Sequence, residues 1–148
     1  MRLDYKTHAP EFAQAMGQLG AAAGRGPLEP ALRELVRAQT SMLNGCAYCI
    51  DMHTKDARKL GETEQRLYAL AAWRDVPYFT DRERAAFELC EAVTVLTRAG
   101  VPDAVWARAA ELFDDAELAH LLATIVVSNA WNRIGVAARC WTPGSYEP

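Results

Sequence analysis

What the sequence lacks narrows its fold and function first. No stretch alternates apolar and polar residues with period two, and β-branched residues are sparse before the last long segment. Strands are therefore not expected. The amino-terminal MRLDYKTHAPEF carries charges and has no apolar core of a signal peptide. Near the carboxyl terminus, the longest run free of Asp, Glu, Lys and Arg is Leu118 to Asn132. It falls short of the roughly 20 residues that span a bilayer. No run of like charges forms a binding tail, and a net charge of -3 gives no support to a nucleic-acid partner. There is no internal repeat, no low-complexity segment, no second C-x-x-C and no H-x-x-x-H. These absences predict a single domain over residues 1–148, soluble and cytoplasmic, with neither membrane nor nucleic acid as partner.

What is present reads as helix almost throughout, and an all-α bundle of six to seven helices is expected. Pro10 to about Ala23 is a first helix, with Phe12, Met16 and Leu19 at helical spacing, ended by Gly24-Arg25-Gly26-Pro27. Pro30 opens the second, which runs to about Leu43 with Leu32, Leu35, Val36 and Leu43 as its apolar face. The third covers Cys46 to Leu60 and stops at Gly61. Thr63 caps a short fourth helix, and Asp75 to Phe79 form a loop. Thr80-Asp81-Arg82-Glu83 is a capping box that starts a fifth helix reaching almost to Gly100. Pro102 sits where a sixth helix begins, and Asp114 or Asp115 caps a seventh that continues to about Ala138. The tail, TPGSYEP, is polar and irregular. The seventh helix is apolar over most of its circumference, which predicts burial. It nevertheless carries Asn129, Asn132 and Arg133. These either bond to neighbouring helices or a second subunit, the reading preferred here, or line a cavity.

One stretch carries chemistry: ELVRAQTSMLNGCAYCIDMHTKDARKLG, from Glu34 to Gly61. Asn44-Gly45 is a break signal, so Cys46 is expected in the first turn of a new helix, where free N–H groups and the helix dipole favour a thiolate. Cys46 and Cys49 are i, i+3, and Cys49 and His53 are i, i+4, so the three share one face. Glu34 lies ten residues before Asn44 and His53 eight after Gly45. In an antiparallel hairpin rising about 1.5 Å per residue, these two come to nearly the same height. Tyr48, between the cysteines, is a candidate pocket wall. Three other readings of the cysteines stay open: buried small hydrophobes, a structural disulfide, or zinc ligands together with His53, for which no fourth ligand is in sight. Cys90 and Cys140 are isolated, the first in a core helical pattern, and neither is given a function. His8, His120 and the tryptophans Trp73, Trp106 and Trp131 read as structural, core or interface residues.

At E-L-V-R-x-x-x-S-x-L-N-G-C-A-Y-C-x-x-x-H the sequence resembles the carboxymuconolactone decarboxylase-like superfamily, and more closely its alkylhydroperoxidase D branch. The stretches LYALAAWRDVPYFTDRERAAFELCEAVT and SNAWNRIGVAAR are similar to that branch as well, so the resemblance covers about Glu34 to Arg139. It implies a thiol peroxidase acting on hydroperoxides. Cys49 would be the peroxidatic thiol, passing through a sulfenic acid, and Cys46 would close a disulfide with it. His53 and Glu34 would form the proton relay. It also implies an external dithiol reductant, lipoyl- or thioredoxin-like, no cofactor and no metal, and assembly as a homo-trimer or homo-hexamer. The cysteine pair argues against the lactone decarboxylation of the other branch.

Overall fold

The computed structural model describes residues 1–148 and is helical throughout, with no strand. Eight α-helices follow in order: α1 (Tyr5–His8), α2 (Pro10–Gly24), α3 (Pro30–Asn44), α4 (Ala47–Lys59), α5 (Glu64–Ala69), α6 (Asp81–Thr94), α7 (Asp103–Leu112) and α8 (Asp115–Ala138). A 3₁₀ segment, Leu70–Asp75, follows α5 directly and is kinked at Ala72. The count exceeds the expected six to seven because Tyr5–His8 forms a short turn of its own, capped by Asp4.

The start signals act as their chemistry requires. Proline occupies the first position of α2 and of α3, where its missing N–H costs nothing. Thr80 and Glu83 form the expected capping box on α6, and Asp114 and Glu117 form a second one on α8. Pro102 lies one residue before α7, which begins at Asp103.

α3 is the central element and packs against α4, α6 and α8. Its Leu32, Leu35 and Val36 enter a core with Leu70, Trp73, Phe87, Leu89, Leu121 and Ile125. Each such side chain removed from water is worth about 1.5–3 kcal/mol. Three expected apolar positions lie elsewhere, and the first, Leu43 at the end of α3, is 40% exposed. Phe12 and Leu19 of α2 are 52% and 48% exposed, and only Met16 and Ala23 of that helix are buried. α6 ends at Thr94 rather than near Gly100, and Val95 and Leu96 are exposed. No neighbouring element covers the continuation, so nothing offsets the cost of extending the β-branched Val93–Val95 run as helix. By length and composition α8 could cross a bilayer. It instead packs against α2, α3 and α6.

Candidate functional site

The site is built on the hairpin of α3 and α4. α3 ends in a Schellman turn: Gly45 takes a left-handed φ of 67°, its N–H donates to Met42 O at 3.2 Å, and the Cys46 N–H donates to Ser41 O at 2.9 Å. A side chain at Gly45 would strain that conformation. Cys46 is thereby held by two backbone anchors, since its own carbonyl accepts from Ile50 N at 2.9 Å. It is the N-cap of α4 rather than a residue of the first turn, one position earlier than the sequence suggested. Cys46 and Cys49 are joined as a disulfide, with Cα atoms 5.3 Å apart. Both are buried.

Glu34 and His53 meet as the antiparallel hairpin requires. The His53 Nδ1 is 2.9 Å from Glu34 Oε2. Arg37, one turn along α3, donates from Nη1 to the other carboxylate oxygen at 2.7 Å. Sequence reasoning missed Arg37, although its i, i+3 spacing from Glu34 places both on one helix face. Glu34 is only 5% exposed and His53 9%. Burial pushes the Glu34 carboxyl up, but the hydrogen bond from His53 and the charge of Arg37 outweigh it and hold the group below the usual carboxylate range. An ionised carboxylate can only accept, so Nδ1 carries the hydrogen, and the lone pair of the ring's neutral form lies on Nε2.

Beside this pair lies a cavity of about 380 Å³. Arg37, Tyr48, Cys49, Met52 and His53 line it from the hairpin, Gly20 from α2, Val127, Ser128 and Trp131 from α8, and Trp141 from the tail. Cys49 and His53 therefore share one space, and Tyr48 does wall it. Trp141 stacks on Tyr48 with ring centroids 5.4 Å apart and lies 5.8 Å from Trp131. The tail is irregular but not detached. Tyr146 Oη donates to Asp56 Oδ1 at 2.8 Å, and Lys55 Nζ donates to Tyr146 O at 2.8 Å. Burial and the Asp56 carboxylate push the Tyr146 hydroxyl up to about 12.

The polar residues of α8 lie around the hairpin turn. The Asn44 amide donates to Asn129 Oδ1 at 2.9 Å and also meets the Asn132 amide. Asn129 donates in turn to Thr94 Oγ1 at 3.0 Å, and Arg133 donates to Asn129 Oδ1 at 2.6 Å. These residues tie the end of α3 to α6 and α8, while the cavity takes Val127, Ser128 and Trp131 from the same helix. Cys90 is buried against Thr40 Oγ1 at 3.1 Å, and burial pushes its thiol up to about 11. Cys140 is half-buried, and burial raises its thiol as well. Neither is a ready thiolate.

For a cation, Glu34, His53 and Asp56 each bring one ligand atom within 4.8 Å of the others. Those groups already satisfy one another and Arg37 and Tyr146, so a metal would have to displace existing partners. In the disulfide state neither sulfur is a thiolate able to bind zinc.

The profile of the Carboxymuconolactone decarboxylase family matches residues 10–92. The uncharacterised protein YdfG of Bacillus subtilis is 40% identical over 136 residues, 92% of each chain. A crystal structure from Agrobacterium tumefaciens, of a protein of unknown function described as a candidate antioxidant-defence protein AhpD, superposes with a TM-score of 0.91. That chain is 34% identical, and the match covers 96% of this chain and 97% of that one. An uncharacterised peroxidase-related protein from Ralstonia eutropha JMP134, with an alkylhydroperoxidase AhpD core, gives a TM-score of 0.82. At 21% identity over 95% of this chain and 74% of that one, it shares the fold. With the disulfide hairpin, the helical order and these likenesses in agreement, the chain belongs to the carboxymuconolactone decarboxylase family and is AhpD-like.

Proposed function

We propose that this protein is a thiol-dependent peroxidase that reduces hydroperoxides through Cys46 and Cys49. The observation that carries the reading is the 2.9 Å contact of His53 with Glu34 on the wall of the cavity that also holds Cys49. In the dithiol form, His53 Nε2 takes the Cys49 proton. The thiolate attacks the O–O bond, becomes a sulfenic acid and releases an alkoxide, which regains that proton and leaves as the alcohol. The Cys46 thiol then condenses with the sulfenic acid, expelling water and forming the disulfide seen here. Two electrons from an external dithiol restore the pair. Glu34 holds the imidazole in the tautomer this sequence needs. Cys46, Cys49, His53 and Glu34 supply the protein groups that these steps use, and the external dithiol supplies the electrons.

The test is steady-state consumption of an organic hydroperoxide with dithiothreitol or dihydrolipoamide as electron source. Sustained turnover is expected. Formation of the disulfide without turnover would instead make the protein a redox sensor or disulfide-exchange protein.

We read residues 1–148 as one domain of this kind, working in the cytoplasm with a lipoyl- or thioredoxin-like dithiol donor. A homo-trimer or homo-hexamer fits the exposed Phe12, Leu19, Trp106, Val126 and Val136. Light scattering at micromolar concentration should give such an assembly, and a monomer would end that part of the proposal.

A further inference from the structure

The disulfide faces two cavities, and its two sulfurs do not share them. The first, of about 380 Å³, reaches Cys49. A second, of about 280 Å³, reaches Cys46, with Gly45, Gly135, Arg139 and Pro143 among its walls. The stacked rings of Tyr48 and Trp141 belong to both and form the partition between them. We propose that the reducing dithiol enters by this second cavity and attacks Cys46, while hydroperoxide meets Cys49 in the first. The proposal rests on the peroxidase reading and assigns its second half-reaction to a separate door.

Gly135 lines that cavity where Trp141 and Cys46 come nearest to α8. A Cβ on it would lie 2.8 Å from Trp141 Cζ3 and 3.3 Å from Cys46 Sγ. Gly135 stands inside α8, where glycine costs about 1 kcal/mol relative to alanine, so the helix gains nothing from its presence. The missing methyl lets the Trp141 ring close onto the helix beside Cys46, so a side chain at position 135 would push that ring and crowd the sulfur. Arg139, in a left-handed conformation with φ 47°, places a cation on the wall of the same cavity, where it favours the thiolate of an approaching dithiol.

The chemistry follows from which sulfur is attacked. In thiol–disulfide exchange the incoming thiolate bonds to one sulfur and the other leaves as a thiolate. Attack on Cys46 by the reductant's first thiolate, its proton lost to solvent, makes a mixed disulfide there and expels Cys49 as a thiolate into the cavity of His53, where it takes up a proton from solvent. The second thiol of the reductant, its proton lost, then attacks the reductant's own sulfur and expels Cys46. The reductant leaves as a disulfide, two electrons have passed to the protein, and two protons from solvent end on Cys46 and Cys49. The imidazole that deprotonates Cys49 for the peroxide step thus also faces the thiolate released in the reductive step. A cavity of this size suits a slender dithiol, free or carried on a flexible arm.

Gly135→Ala places a methyl against Trp141 and Cys46 at the wall of the second cavity, and Gly135 itself does not line the first. The oxidised variant should be reduced by dithiothreitol about tenfold or more slowly than wild type, as expected when a reacting atom is kept from its attack position. The reduced variant should lose far less in its oxidation by hydroperoxide than in its reduction, because Gly135 does not line the first cavity. In unaltered protein, oxidised samples treated with 2-mercaptoethanol and quenched with iodoacetamide should carry the mercaptoethanol adduct on Cys46 and the alkyl group on Cys49, read by tandem mass spectrometry. The adduct on Cys49, or an unchanged reduction rate in Gly135→Ala, overturns the proposal. Failure of hydroperoxide to oxidise the reduced protein overturns the peroxidase reading instead, while both reduction measurements still decide the route to Cys46.

Discussion

Cys49→Ser should have no measurable peroxidase turnover, while Cys46→Ser should consume one equivalent of hydroperoxide and then stop when no reductant is added. The asymmetry follows from the surroundings of the two sulfurs. Cys49 shares a cavity with His53, whereas Cys46 lines a different one and is held by the backbone of the hairpin turn. A serine hydroxyl is too weakly acidic for a single imidazole to make it a nucleophile toward an O–O bond, so little rate survives at position 49. With serine at position 46 the sulfenic acid forms but has no thiol to condense with. Both substitutions are close to isosteric, and circular dichroism should report an intact fold. Stoichiometric and steady-state hydroperoxide assays separate the variants. Turnover retained in Cys49→Ser, or a full catalytic cycle through Cys46 alone, would reverse the assignment.

The next largest effect belongs to the relay. Glu34→Gln and His53→Gln should each lower turnover by about 10²–10⁴-fold or somewhat less, the usual worth of a general base. The Glu34 carboxylate accepts from His53 on one oxygen and from Arg37 on the other. A glutamine has one acceptor oxygen and must give up one of these contacts. His53 then loses the partner that fixes its tautomer. Because both residues act through one proton path, the double variant should be little worse than the poorer single one. Multiplicative losses would mean that the two act separately. The same carboxylate also has a stability signature. Its folded pKa lies below the ordinary glutamate value, so its contribution is complete above the ordinary range and is lost as pH falls through the lowered value. Acid unfolding of wild type should contain that limb, and Glu34→Gln should lack it. An identical acid profile would show that the ionised carboxylate adds nothing to the fold.

Much of this site was legible because it is local. Glu34 and His53 are 19 residues apart on two helices joined by a turn whose glycine is visible in the sequence, and rise per residue alone brings them level. Helix starts were legible for the same reason, since proline at N1 and the Thr80–Glu83 box act within four residues. Contacts between distant segments were not. Nothing near Trp141 indicates that it will stack on Tyr48, and Tyr146 reaches Asp56 across 90 residues of chain. The exposed Phe12 and Leu19 show the converse failure: apolar spacing marks a helix face without saying whether another element of the same chain covers it. Arg37 could have been read from its spacing to Glu34. It was passed over because a basic residue on a helix usually faces solvent.

The position of Trp141 gives the protein an optical property. Its indole packs on Gly135 beside Cys46, with Trp131 and Tyr5 ring centroids 5.8 Å and 6.2 Å away. A disulfide is an efficient acceptor of an electron from an excited indole, and two thiols are poorer ones. Emission from Trp141 should therefore be weaker in the oxidised protein than in the reduced one, and a fluorescence titration with a dithiol should read the change as a rise in intensity.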